Sequence, residues 1–155
     1  MKPTEYNTLK EQLRNIIEEA RMVLPGIQAL FGFQTVAVFN QRFDQLPAGV
    51  QILHLLALGS VVAAIALIMA PAACHRVASP HEVSESIVRL CSRLIFAALA
   101  PLMLGLALDM FVVIYMVTGS MPAAALAAAA SLALLGALWF ALPLRLRLRT
   151  RRRRY

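Results

Sequence analysis

Residues 94–117 read LIFAALAPLMLGLALDMFVVIYMV, a nearly unbroken apolar run with one charged side chain, Asp109. As a helix it is about 36 Å long at about 1.5 Å per residue, and the hydrocarbon core of a bilayer is about 30 Å thick. The run predicts a membrane-crossing helix, and the rest of the chain has the same character. Of 155 residues, 60% are hydrophobic and 15% charged, against about 45–50% and about 25% in soluble domains. A chain this short could not bury so much apolar surface in water.

Outward from that run, three more spans are predicted at about 23–39, 50–74 and 123–144. The first is near the short limit for a span. Gln28 and Gln34 are its strongly polar residues, and Pro25-Gly26 predicts a bend at its entry. It follows mixed charge, and VFNQRFDQLP after it is no cleavage site, so it reads as a retained span. In the second, Gly59, Ala63, Ala66 and Ala70 put small side chains on one face, suited to close helix contact. The third span is predicted to be entered by a helix from Pro80, with Glu85 and Arg89 spaced to pair and Pro101 as a kink. Thr118 to Pro122 reads as a tight turn, in which Gly119 ends one helix and Pro122 opens the next. Trp139 lies near the far end of the fourth span, where interfacial aromatics gather.

Ahead of the spans, residues 1–22 form a polar lead-in. Thr8 and Glu11 fit a capping box, and Leu9, Leu13, Ile16, Ile17 and Ala20 recur at helical spacing. Such a helix either lies on the membrane surface or packs against its own protein. Residues 145–155 form an arginine-rich tail. The expected fold class is all-α, an integral membrane four-helix bundle with an N-terminal amphipathic surface helix.

The charge is +7 and unevenly placed. With four spans, the N-terminal segment, the middle loop with its flanks and the tail share one side, which holds every basic residue but Arg42. The positive-inside rule then puts both termini in the cytoplasm. Cys74 and Cys91 fall at that edge, where thiols stay reduced.

Leu24-Pro25-Gly26-Ile27-Gln28, Gln41-Arg42-Phe43, Ala70-Pro71 followed by His75-Arg76, and Asp109-Met110-Phe111-Val112 occur in this order over about residues 10–120. Together they resemble the bacterial membrane proteins of domain of unknown function 6328. The resemblance implies a multi-span bacterial membrane protein without an established activity, expected here in the inner membrane; a sodium/proton antiport label on some members implies ion transport as an alternative. Met110-Phe111 departs from the small or branched residue expected after the aspartate.

Asp109 is the residue best placed to carry chemistry. An aspartate in mid-span costs about 2.5–3.5 kcal/mol, so it is expected to face a neighbouring helix. Ala97, Pro101, Gly105 and Asp109 step by four and make a small-residue face. Entering from the cytoplasm, the third span carries Asp109 to about 12 Å from its outer end, in the outer half that also holds Gln34 and His54. A cluster of Asp109, Gln34 and His54 is therefore expected. It would serve as a packing hydrogen bond or as a proton or cation site. Arg145, Arg147, Arg149, Arg151, Arg152, Arg153 and Arg154 are expected to contact anionic lipid at the cytoplasmic face, with nucleic acid a poorer partner for a membrane-tethered tail. The small-residue faces suggest a homo-oligomer. No nucleotide loop, nucleophile elbow or metal-ligand spacing occurs, so neither enzyme activity nor a cofactor or metal is expected. The expected role is a structural or accessory membrane protein, with a small proton- or cation-coupled transporter as the alternative.

Overall fold

The computed structural model describes residues 3–77 and 85–152, and no strand occurs among them. The helices are α1 (Pro3–Ala37), α2 (Gln41–Asp44), α3 (Ala48–Val77), α4 (Glu85–Thr118), α5 (Met121–Gly136) and α6 (Leu142–Arg152), with a π-helical turn, Ala137–Ala141, joining the last two. Among the described residues, three stretches are long and apolar enough to cross a membrane: Ala48–Cys74, Glu85–Thr118 and Met121–Leu148.

The surface is inside-out relative to a soluble protein. Large apolar side chains are exposed, Phe33 by 76% and Leu126 by 72%, while Ala57, Ala64, Ala98 and Ala124 are fully buried. Small residues let helix backbones approach, and lipid tails solvate the leucines outside as well as a core would.

Ala124 is the one buried residue of α5, whereas helices α1, α3 and α4 each turn a seam inward. On α3 it is Val50, His54, Ala57, Val61, Ala64, Ile68 and Pro71, all buried, in alternating steps of four and three. On α4, Val88, Cys91, Ala98, Leu102, Gly105 and Val112 are buried, with half-buried Ile95 and Asp109 filling the two gaps in the same rhythm. On α1, Leu9, Leu13, Ile27 and Gln34 are buried, with half-buried Ile16, Ala20, Leu24 and Phe31 between them. Steps of three and four average about 3.5 residues, the repeat that keeps one stripe facing a neighbouring helix. This corrects the face expected on the second span: Gly59, Ala63 and Ala66 are exposed, and nothing lies within 4 Å of a side chain built at Gly59.

The chain divides into two compact units, Met1–Val36 with Ser60–Leu102, and Ala37–Gly59 with Met103–Tyr155. In the first, Leu9 and Leu13 of α1 form a buried cluster with Val88 and Cys91 of α4, and Ile16, Ile17 and Ile87 pack against it. The lead-in thus packs against its own protein through Leu9 and Leu13. Helix α1 is unbroken from Pro3 to Ala37, with Pro25 inside it, so lead-in and first apolar run are one helix. The capping box at Thr8 and Glu11 is corrected accordingly, because both lie within the helix. Glu85 and Arg89 pair at 2.9 Å as their spacing predicts. The expected helix start at Pro80 lies outside the described residues.

In the second unit the turn after α4 follows its sequence signals. Gly119 adopts φ +66°, a left-handed conformation that costs a residue with a Cβ about 1–2 kcal/mol. Its N–H donates to the Tyr115 carbonyl at 2.8 Å, and the Ala123 N–H donates to Ser120 Oγ at 3.4 Å, capping α5. A Cβ built at Gly136 would lie 3.8 Å from Met103 Sδ, which brings the far part of α5 beside α4. Pro143 then falls inside helix. It has no N–H, and its ring crowds the carbonyl four residues back. The π turn just ahead absorbs this: the Leu142 N–H donates to the Ala137 carbonyl, five residues back. The helix thus passes the proline and runs on to Arg152.

Candidate functional site

His54 occupies the second seam position of α3 and is 3% exposed. Its ring meets that of Phe43 edge-on, with centroids 5.2 Å apart and planes at 68°. The preceding loop is built to hold Phe43 there. Asn40 caps α2 by accepting the Arg42 N–H at 3.0 Å. Gln51 Nε2, one turn before His54, donates to the carbonyls of Phe43 at 3.2 Å and Leu46 at 3.1 Å. The loop therefore folds back on α3 and closes the end of its seam with an aromatic ring. Gln51 was not singled out from the sequence. Its signal is a polar residue in the first turn of an apolar helix, next to a loop whose carbonyls need donors.

Asp109 lies on the α4 seam, half-buried between buried Gly105 and Val112. Gln34 lies on the α1 seam and is 4% exposed. Gln34 belongs to the first unit and His54 and Asp109 to the second, and each of the three has an interaction partner. All three residues picked from the sequence thus occupy inward positions of otherwise apolar helices. A buried amide, imidazole or carboxyl in such a setting is costly to leave unsatisfied, by several kcal/mol for each unmade hydrogen bond.

The first unit has an open cleft of about 320 Å³ lined by Thr8, Leu9, Gln12, Glu85, Val88 and Arg89. Its two charges pair with one another. No three His, Cys, Asp or Glu side chains gather as a metal site among the described residues. Arg145 and Arg147 are exposed on α6. The backbone at Arg149, Arg151 and Arg152 continues that helix, and Arg153 and Arg154 lie outside the described residues.

Three long apolar helices among the described residues, with many large apolar side chains turned out, define the class: an all-helical protein with helices able to cross a membrane. The family follows from the sequence itself. Residues 2–143 match the family of unknown function DUF6328, and the chain belongs to it. No curated protein and no solved structure matches it.

Proposed function

We infer that the chain is a four-span helical bundle of the bacterial inner membrane with both ends in the cytoplasm, acting as a structural or accessory membrane protein. The observation that carries this reading is the withdrawal of Gln34, His54 and, in part, Asp109 onto helix seams. Polar contacts between membrane helices are worth about 0.6–2 kcal/mol each, enough to fix the register of helices whose apolar surfaces barely discriminate. The fourth span is the later part of α1. It exposes Phe33 and Val36 while burying Gln34, the same inversion that marks α3 and α4. With that span included, the uneven arginine distribution supports cytoplasmic ends.

Transport of a proton or cation is the second reading. What favours it is that Asp109 is half-buried rather than sealed, as an exchanging site requires. Asp109→Asn separates the two, because asparagine keeps the hydrogen-bonding reach and cannot titrate. The expected result is unchanged assembly and no pH-driven cation flux in proteoliposomes of either form. Flux in the parent that Asp109→Asn abolishes, with assembly intact, would replace the structural reading by the transport one.

A further inference from the structure

The arginine-rich end is helical as far as Arg152, and that changes what it can bind. Helices α5 and α6 continue through the π turn, so the stretch Met121–Leu148 is about 42 Å long at about 1.5 Å per residue. With Pro122 at one edge of a hydrocarbon core of about 30 Å, the other edge falls near Leu142. The next few residues, at about 1.5 Å each, occupy a headgroup layer about 5–8 Å deep. Arg145 and Arg147 belong to that layer, and Trp139 lies about 9 Å before Arg145 on the acyl side.

The side-chain order there is Leu142, Leu144, Arg145, Leu146, Arg147, Leu148. At about 100° per residue, Leu142 and Leu146 project to one side and Leu144 and Leu148 to the opposite side. Arginines project between them. All four leucines are about half-exposed or more. A helix lying flat on a membrane has one apolar face and one charged face. This one has two apolar sides and cannot lie flat without putting one of them in water. Upright in the headgroup layer, every leucine reaches toward acyl chains and every arginine reaches toward phosphates.

We propose that residues 142–148 form an upright collar that gathers anionic phospholipid headgroups around the cytoplasmic end of α5 and α6. The guanidinium groups of Arg145 and Arg147 supply fork-shaped donors that match phosphate oxygens. The leucines insert between neighbouring chains and fix the depth. The selectivity resides in the inner pair of arginines, at headgroup depth, rather than in the basic run beyond residue 150.

Trp139, the chain's single tryptophan, reports on the lipids beside the collar. The full-length protein is reconstituted in mixed phosphatidylcholine and phosphatidylglycerol vesicles, with bromine on the acyl chains of one lipid or the other. Brominated phosphatidylglycerol is expected to win sites near Trp139 by about fivefold or more, the factor contributed by about one arginine at an anionic surface. Arg145→Gln with Arg147→Gln should bring the preference close to one, and Arg145→Lys with Arg147→Lys should keep most of it. Arg152→Gln with Arg153→Gln and Arg154→Gln should leave it unchanged. Equal quenching by the two lipids in the parent protein overturns the proposal without any variant. Loss of preference in the distal triple variant alone overturns it too, because binding would then belong to the end of the chain and not to the collar.

Discussion

Ala64→Leu and Ala63→Leu place the same side chain at neighbouring positions of α3, with opposite expected results. Ala64 is fully buried on the seam, whereas Ala63 is exposed. Leucine adds three carbon atoms. At position 64 they have no room, and overpacking a tight core costs about 1–3 kcal/mol. That lowers the folded-to-unfolded ratio by about 5-fold to 150-fold, at about 1.4 kcal/mol per factor of ten. At position 63 the added carbons meet acyl chains, and the change should stay within about 0.5 kcal/mol. Reversible unfolding in mixed dodecyl maltoside and SDS micelles, followed by circular dichroism and Trp139 fluorescence, measures both. Ala57→Leu, also fully buried, should behave like Ala64→Leu, and Ala66→Leu like Ala63→Leu. If the variants at 63 and 66 are the damaged ones and those at 57 and 64 are silent, the seam is on the wrong face of the helix.

Leu13→Ala empties a position that is buried against Val88 and Cys91. It should weaken the docking of the early part of α1 by about 2–5 kcal/mol, seen as faster limited proteolysis between residues 3 and 20; a cleavage rate equal to the parent's would mean the lead-in is not held there. The two cysteines should separate under a membrane-permeant maleimide. Half-buried Cys74 reacts in the folded protein and buried Cys91 only after SDS, as read in Cys91→Ser and Cys74→Ser variants; equal rates would mean that the α1–α4 contact opens freely.

Several elements were legible because single residues announce them. Gly119 and Pro122 place the turn between α4 and α5, and the Glu85–Arg89 spacing yields its ion pair. Other signals misled. Thr8 with Glu11 resembles a helix start, but Pro3 opens the helix five residues earlier, and proline in the first turn is itself a start signal. Pro25-Gly26 does not end the helix, and α1 continues through it. The tail announces its charge, but its helix depends on the π turn that carries the chain past Pro143. The four-residue steps from Asp109 back to Ala97 also fail. Each such step gains about 40° on a helix of about 100° per residue, so three of them put Ala97 about 120° from Asp109. Ala97 is exposed, and the buried residues there are Ala98 and Leu102.

The harder problem was the phase of each seam, and its cause is the solvent. In water an apolar stripe contrasts with polar faces, so periodicity alone points to the core. In lipid both faces are apolar, and on α3 both also carry small residues: Gly59, Ala63 and Ala66 outside, Ala57 and Ala64 inside. Apolar periodicity then gives the repeat and not the phase. The residue that breaks the symmetry is the one that lipid cannot solvate. Counting from His54 in steps of three and four gives Ala57, Val61, Ala64, Ile68 and Pro71, all buried. Counting back from Asp109 in steps of four and three gives Gly105, Leu102 and Ala98, all buried, and back from Gln34 gives Phe31, half-buried, and Ile27, buried. On α3 and α4 a single polar residue marks the inward face, because turning it outward costs more than rearranging the alanines and leucines around it; on α1 Gln34 does so although Gln28 is exposed. The same reasoning makes His54→Leu a different kind of change from any leucine substitution on the seam: it removes the mark that distinguishes the two faces of α3, and Phe43 loses the ring against which the loop is set.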